Sequence, residues 1–85
     1  MTYTVEVERA AAKTIAKIAS PYRERILKAI KGLATEPRPN GSKKLVGRET
    51  WRIRVGDYRV IYVIDDGKLL VVVVKVDHRS KAYKG

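Results

Sequence analysis

The sequence predicts an α+β fold: a small, antiparallel-rich sheet in β-α-α-β-β-β order, a helical hairpin packed on one face, and a very short C-terminal tail. Three observations predict it. Residues 51–63, WRIRVGDYRVIYV, are two runs of β-branched and aromatic residues joined by Gly56-Asp57, a strong hairpin signal. Residues 69–76 form a nearly unbroken apolar strand after a second turn signal, Asp66-Gly67. Between residues 8 and 33 the apolar spacing changes from period two to a helical period. Eighty-five residues form a single domain, 1–85, with room for one modest core.

Thr2 to Val7 alternates, with Tyr3, Val5 and Val7 on one side, and predicts the first strand. Glu8 to Ala19 has helical composition, with an apolar stripe of Ala11, Ile15, Ile18 and Ala19 and with Lys13 and Lys17 outside it. Ser20-Pro21 ends that helix and opens the next, Ser20 as N-cap and Pro21 as first helical residue. The second helix turns Tyr22, Ile26, Ala29, Ile30 and Leu33 inward and Arg23, Lys28 and Lys31 to solvent. Two prolines and Asn40-Gly41 make 36–42 a surface loop, and Lys43 and Lys44 follow it at the rim of the sheet.

A two-residue turn at Gly56-Asp57 sets Val55 opposite Tyr58, Arg54 opposite Arg59 and Arg52 opposite Ile61. Trp51, Ile53, Val55, Tyr58, Val60 and Tyr62 then share one face, and Arg52, Arg54 and Arg59 share the other. With Asp65 opposite Lys68 across the second turn, Val72 lies beside Ile61 and Val74 beside Arg59. The helices cover the face of Trp51, Ile53, Val60, Tyr62, Val71 and Val73, which makes Trp51 a core residue. The second face is split between an apolar half, Ile61, Val63, Leu70 and Val72, and the three arginines. Little of the chain remains to cover it, and an exposed apolar patch of that kind marks a partner.

The formal net charge is +10, which predicts an anionic partner, nucleic acid or an acidic protein. No cysteine is present, which excludes disulfides and thiolate metal sites. No segment is long and apolar enough to span a bilayer, and the start, MTYTVEVE, lacks signal-peptide features, so the expectation is a cytoplasmic protein without membrane contact. One histidine and dull serine contexts argue against metal-dependent and Ser/His/Asp hydrolysis. What remains is a metal-free basic set. Like charges directly opposite on a sheet cost stability, so Arg52, Arg54 and Arg59 read as a polyanion site, joined in sequence by His78, Arg79 and Tyr83.

Such a set suits cleavage of RNA at its own ribose. The 2′-hydroxyl attacks, the phosphorane gains charge, and guanidinium groups stabilise that charge. Arginine is effectively always protonated, so the base is not at position 52 or 54. His78 titrates ordinarily nearest neutrality, and Tyr83 and Lys75 are the other options. Strict alternation from Val74 puts His78 on the basic face.

The order Leu45-Val46-Gly47, then WRIRVGDYRVIYVIDDG, then an apolar strand ending in His78-Arg79 with Tyr83 four residues on, resembles the RelE-type toxins of the RelE/ParE superfamily. The match covers nearly the whole chain and is densest between Leu45 and Tyr83. The resemblance implies a metal-independent, cofactor-free endoribonuclease that cuts mRNA in the ribosomal A site and inhibits translation. Its implied partners are the ribosome and mRNA, a RelB-like antitoxin that silences it, and operator DNA for the toxin–antitoxin complex. Arg52 and Arg54 stand where the family often has two lysines. Arg59 matches the arginine after the hairpin turn, Arg79 the one after the last strand, and Tyr83 the tyrosine near the C-terminus. The family role of Arg59 and Arg79 is to stabilise the phosphate and the transition state, and that of Tyr83 is to orient or stack on a codon base. Lys43, Lys44 and Lys81 are the expected RNA or ribosome contacts, and Ile61, Val63, Leu70 and Val72 the expected antitoxin surface.

Two other classes stay open. A ParE-like inhibitor of DNA gyrase shares the fold, though such proteins generally lack the full basic–Arg–Tyr set. A non-catalytic RNA-binding module is compatible with arginines replacing the two lysines.

Overall fold

The computed structural model describes residues 2–45 and 49–78. Arg79, Lys81 and Tyr83, and Val46-Gly47 of the resemblance, lie outside the described residues. Elements run β1 (Thr4–Val7), α1 (Arg9–Ala16), α2 (Tyr22–Gly32), β2 (Lys43–Lys44), β3 (Thr50–Val55), β4 (Tyr58–Asp65) and β5 (Leu70–His78). The strands form one sheet in the order β1-β5-β4-β3-β2, parallel only at β1–β5. That parallel pair follows from the connection: two helices between β1 and the rest carry the chain back across the sheet before it resumes pairing. No helix among the described residues is long and apolar enough to cross a membrane.

The helices cover one face. Ala11, Ile15 and Ile18 from the α1 region and Ile26, Ile30 and Leu33 from the α2 region pack on Ile53, Val60, Tyr62, Ile64, Val71, Val73 and Val76. Trp51 packs half-buried against this core as expected. One expected inward residue faces out: helix α1 ends at Ala16, which leaves Ala19 exposed. Tyr22 turns toward the sheet as expected, against Tyr58, but stays 40% exposed at the start of α2. Ser20 does not cap α2 either. Pro21 occupies the N-cap position without a side-chain cap, and the Ser20 hydroxyl instead donates to the Glu24 carboxylate at 3.0 Å.

The first hairpin has the predicted register, Val55 opposite Tyr58 and Arg54 opposite Arg59. Gly56 supplies the positive φ, +60°, that the first position of a tight hairpin turn requires. The second hairpin differs. Asp65 pairs with Leu70, not Lys68, because the loop holds four residues. Asp65 accepts the Lys68 N–H at 3.1 Å, and Leu69, with φ +50°, makes the left-handed turn into β5. Val72 therefore lies opposite Val63. A bulge then leaves Val74 out of the pairing between Ile61 and Tyr62, so Lys75 meets Ile61 and Asp77, not Val74, meets Arg59.

Tyr62 anchors the 36–42 loop from below. It is fully buried, its hydroxyl donates to the Pro37 carbonyl at 2.7 Å, and burial pushes its pKa up from 10.0 to about 12. Because the folded value lies above the unfolded one, its contribution is complete below pH 10.0 and fades as pH rises toward 12. A shift of that size corresponds to roughly 2–3 kcal/mol. Unfolding titrations should show this alkaline loss in the wild type and not in Tyr62→Phe, which should be about 1 kcal/mol less stable at neutral pH. Parallel pH dependence of the two proteins would contradict the assignment. Arg38 fastens the same loop from above, with hydrogen bonds to both carboxylate oxygens of Asp66 at 3.3 and 2.9 Å and its guanidinium 5.2 Å from the Trp51 ring. That contact with Arg38, helped by the Tyr3 hydroxyl, holds the Asp66 carboxyl below its ordinary value.

Candidate active site on the open sheet face

The face turned away from the helices carries two adjacent cross-strand rows. In one, register places Lys43, Arg52, Ile61 and Lys75 side by side across β2, β3, β4 and β5. In the next it places Arg54, Arg59 and Asp77. Five cations and one carboxylate thus share a patch two residues wide. Arg54 is exposed, Arg52 is half-buried, and neither has an acidic partner among the described residues.

Arg59 is held differently. Its Nε donates to Asp77 Oδ1 at 3.0 Å and its Nη2 to Oδ2 at 3.1 Å, a side-on pairing that fixes the plane of the guanidinium. The Arg59 side chain is 28% exposed and that of Asp77 only 10%. Lys75, 64% exposed, brings its Nζ to 3.7 Å from Asp77 Oδ2, so the carboxylate sits between two cations and the patch stays positive overall.

The structure separates several residues expected together. Lys43 joins the arginine face, but Lys44 pairs with Trp51 on the opposite face, its Nζ 3.3 Å from Glu49 Oε1. His78 also lies on the helix side. It pairs with Tyr58, the two rings meet edge-on at 5.1 Å, and Tyr58 in turn stands 5.8 Å from Tyr22 of α2. The expectation that alternation from Val74 puts His78 among the arginines fails because the bulge reverses the phase of β5 after Val73. The apolar half keeps its grouping: Ile61, Val63, Leu70 and Val72 are all half-buried on the open face.

Asp77 was not expected in the site. A signal for it exists. Lys75-Val76-Asp77 alternates with Val76 as the apolar member, out of phase with an inward Val71 and Val73, and only an extra residue reconciles the two. Among the described residues, no group of three or more His, Asp or Glu side chains gathers to hold a metal ion. The face offers a phosphodiester a set of cations, with Arg59 held in a fixed plane, that can stabilise charge developing on it.

Comparison with known proteins gives this geometry a lineage. The family model described as ParE toxin of type II toxin–antitoxin system matches residues 5–83. Toxin RelG of Mycobacterium tuberculosis is 33% identical over 99% of each chain. The RelE of the Pyrococcus horikoshii RelE–RelB complex superposes with a TM-score of 0.85 at 29% identity, covering 95% of this chain and 99% of that one. Isolated Escherichia coli RelE superposes at 0.77 with 27% identity, covering 96% of both chains. The chain belongs to the RelE/ParE superfamily of toxins from type II toxin–antitoxin systems and is a RelE-type member of it.

Proposed function

We propose that this toxin is a metal-independent endoribonuclease that cleaves mRNA in the ribosomal A site and so inhibits translation. The single observation that carries the reading is the juxtaposition of Lys43, Arg52, Arg54, Arg59 and Lys75 in two neighbouring rows on the face the helices leave open. Arg52 and Arg54 bind and align the phosphodiester for in-line attack by the adjacent 2′-hydroxyl, and Arg59 stabilises the phosphorane. Arg79 and Tyr83 join them in this reading, on the strength of the family motif. The proton of the 2′-hydroxyl goes to a group other than a guanidinium. Lys75, in the same row as Arg52, adds a further cation to the phosphate site, and His78, on the other face, is not the proton acceptor. Because the nucleophile belongs to RNA, DNA in the same pose resists cleavage. The toxin's natural antagonist is a RelB-like antitoxin, as in the complex of the Pyrococcus horikoshii relative.

The test is to incubate programmed ribosomes with the protein and map the 5′ ends of the mRNA, beside a DNA gyrase supercoiling assay. Cuts confined to the A-site codon, slowed in Lys75→Ala and kept in His78→Ala at near wild-type rate, are expected. Intact mRNA together with blocked supercoiling would replace this reading with the gyrase-inhibitor one.

A further inference from the structure

We propose that Asp77 is a positioning residue for Arg59, setting the guanidinium in the plane and at the height from which it meets the scissile phosphate. The consequence for catalysis rests on the nuclease reading; the positioning itself does not. An arginine on a sheet face has a long side chain with many rotamers, and ordering it costs free energy at the moment the substrate binds. Arg52 and Arg54 have no acidic partner to order them among the described residues. Arg59 has one, engaged at both carboxylate oxygens at 3.0 and 3.1 Å.

The carboxylate cannot wander, because Asp77 is only 9% exposed. Its place is set by the backbone. The bulge at Ile61/Tyr62 turns Val76 into the core opposite Val60 and brings Asp77 to the open face opposite Arg59. A charged pair of this burial gains little stability over an apolar pair of equal volume, so orientation of Arg59 is the better account of it. The pairing leaves the patch cationic, since Lys75 lies 3.7 Å from the same carboxylate. Side-on engagement takes one edge of the guanidinium, Nε and Nη2, and so holds its plane at two points.

The experiment compares Asp77→Asn, Arg59→Lys and the double variant in single-turnover cleavage of ribosome-bound mRNA. Nitrogen-15 spectra of the arginine Nε–Hε groups are recorded without ribosomes. In Asp77→Asn the cleavage rate should fall on the order of 10- to 100-fold with little change in half-saturating toxin concentration, as for a displaced catalytic group. In the Arg59→Lys background, Asp77→Asn should cost nothing further. The Arg59 Nε–Hε signal should be sharp and slow to exchange in the wild type and averaged in Asp77→Asn. Thermal unfolding of each variant separates these effects from loss of fold. An unchanged Nε–Hε signal overturns the proposal whether or not the protein cleaves RNA. A multiplicative rate loss in the double variant overturns it too, by showing that Asp77 acts on its own. Wild-type protein that leaves mRNA intact removes the nuclease reading, while the spectra still decide the positioning.

Discussion

Arg59→Ala is expected to abolish growth arrest on expression without an antitoxin and to lower cleavage by about 10²–10³, the usual effect of removing one preorganised donor to transition-state charge. The structure adds a second consequence. Asp77 would remain, 9% exposed, with Lys75 at 3.7 Å as its one cationic partner among the described residues. Removing one partner of a fully buried pair typically costs about 3–5 kcal/mol, and the exposure of Arg59 and the presence of Lys75 reduce that here to roughly 2–3 kcal/mol. At about 4–8 °C per kcal/mol for a domain of this size, the melting temperature should drop by roughly 10–20 °C. Alanine alone would therefore confuse lost chemistry with lost fold. Arg59→Lys keeps a cation beside Asp77 but loses the two-point fork, so it should regain most of the stability and little of the activity. Full cleavage by a folded Arg59→Lys protein would show that charge alone, not the guanidinium plane, serves the reaction. Equal melting temperatures for Arg59→Ala and wild type would show that Asp77 is solvated more than its burial indicates.

How far the fold was legible follows from the kind of signal each stretch carries. The first hairpin could be read residue by residue, since Gly56-Asp57 permits a two-residue turn and alternation on both sides agrees on one register. The helices could be read from spacing, but not their ends, where Ala19 passed as core and Tyr22, though turned toward Tyr58, stays partly exposed. The second hairpin held two traps. Asp66-Gly67 imitates a two-residue turn, whereas the Asp65 carboxylate on Lys68 N–H and the left-handed Leu69 close a four-residue loop. The run from Leu69 to Val74 is apolar at every position, so nothing in it fixes the phase. The loop shifts register by an even step, which leaves Leu70 and Val72 on the expected face. The bulge shifts it by an odd one, which exchanges Asp77 for His78 at the arginines. One bulged residue, Val74, thus decides whether a histidine or a carboxylate lies beside the arginines.

Replacing both Val63 and Leu70 with Ser is expected to weaken antitoxin binding by roughly thirtyfold while leaving the toxin folded. Val63 lies opposite Val72, and Leu70 stands two residue pairs away at the start of β5, opposite Asp65. With Ile61 they form a half-buried apolar patch on the face that lacks helices. Full burial of such a side chain contributes about 1.5–3 kcal/mol, and a half-buried one has about half of that left to gain from a partner. For two side chains the loss is roughly 2 kcal/mol, or about thirtyfold in Kd. Charge sets the direction in which the partner lies. One border of the patch is basic, at Arg52, Arg54 and Arg59, and the other is acidic, with Glu6 of β1 opposite Val72 and Asp65 opposite Leu70. An amphipathic helix or strand of the antitoxin should therefore place its acidic end over the arginines and a neutral or basic end toward β1. In that orientation the segment that buries the patch also covers the phosphate site, so affinity and inhibition should fall together in the double variant. Raising the salt concentration should weaken the wild-type complex further, through the arginine border. Unchanged affinity in a double variant that still unfolds cooperatively would place the antitoxin on another surface.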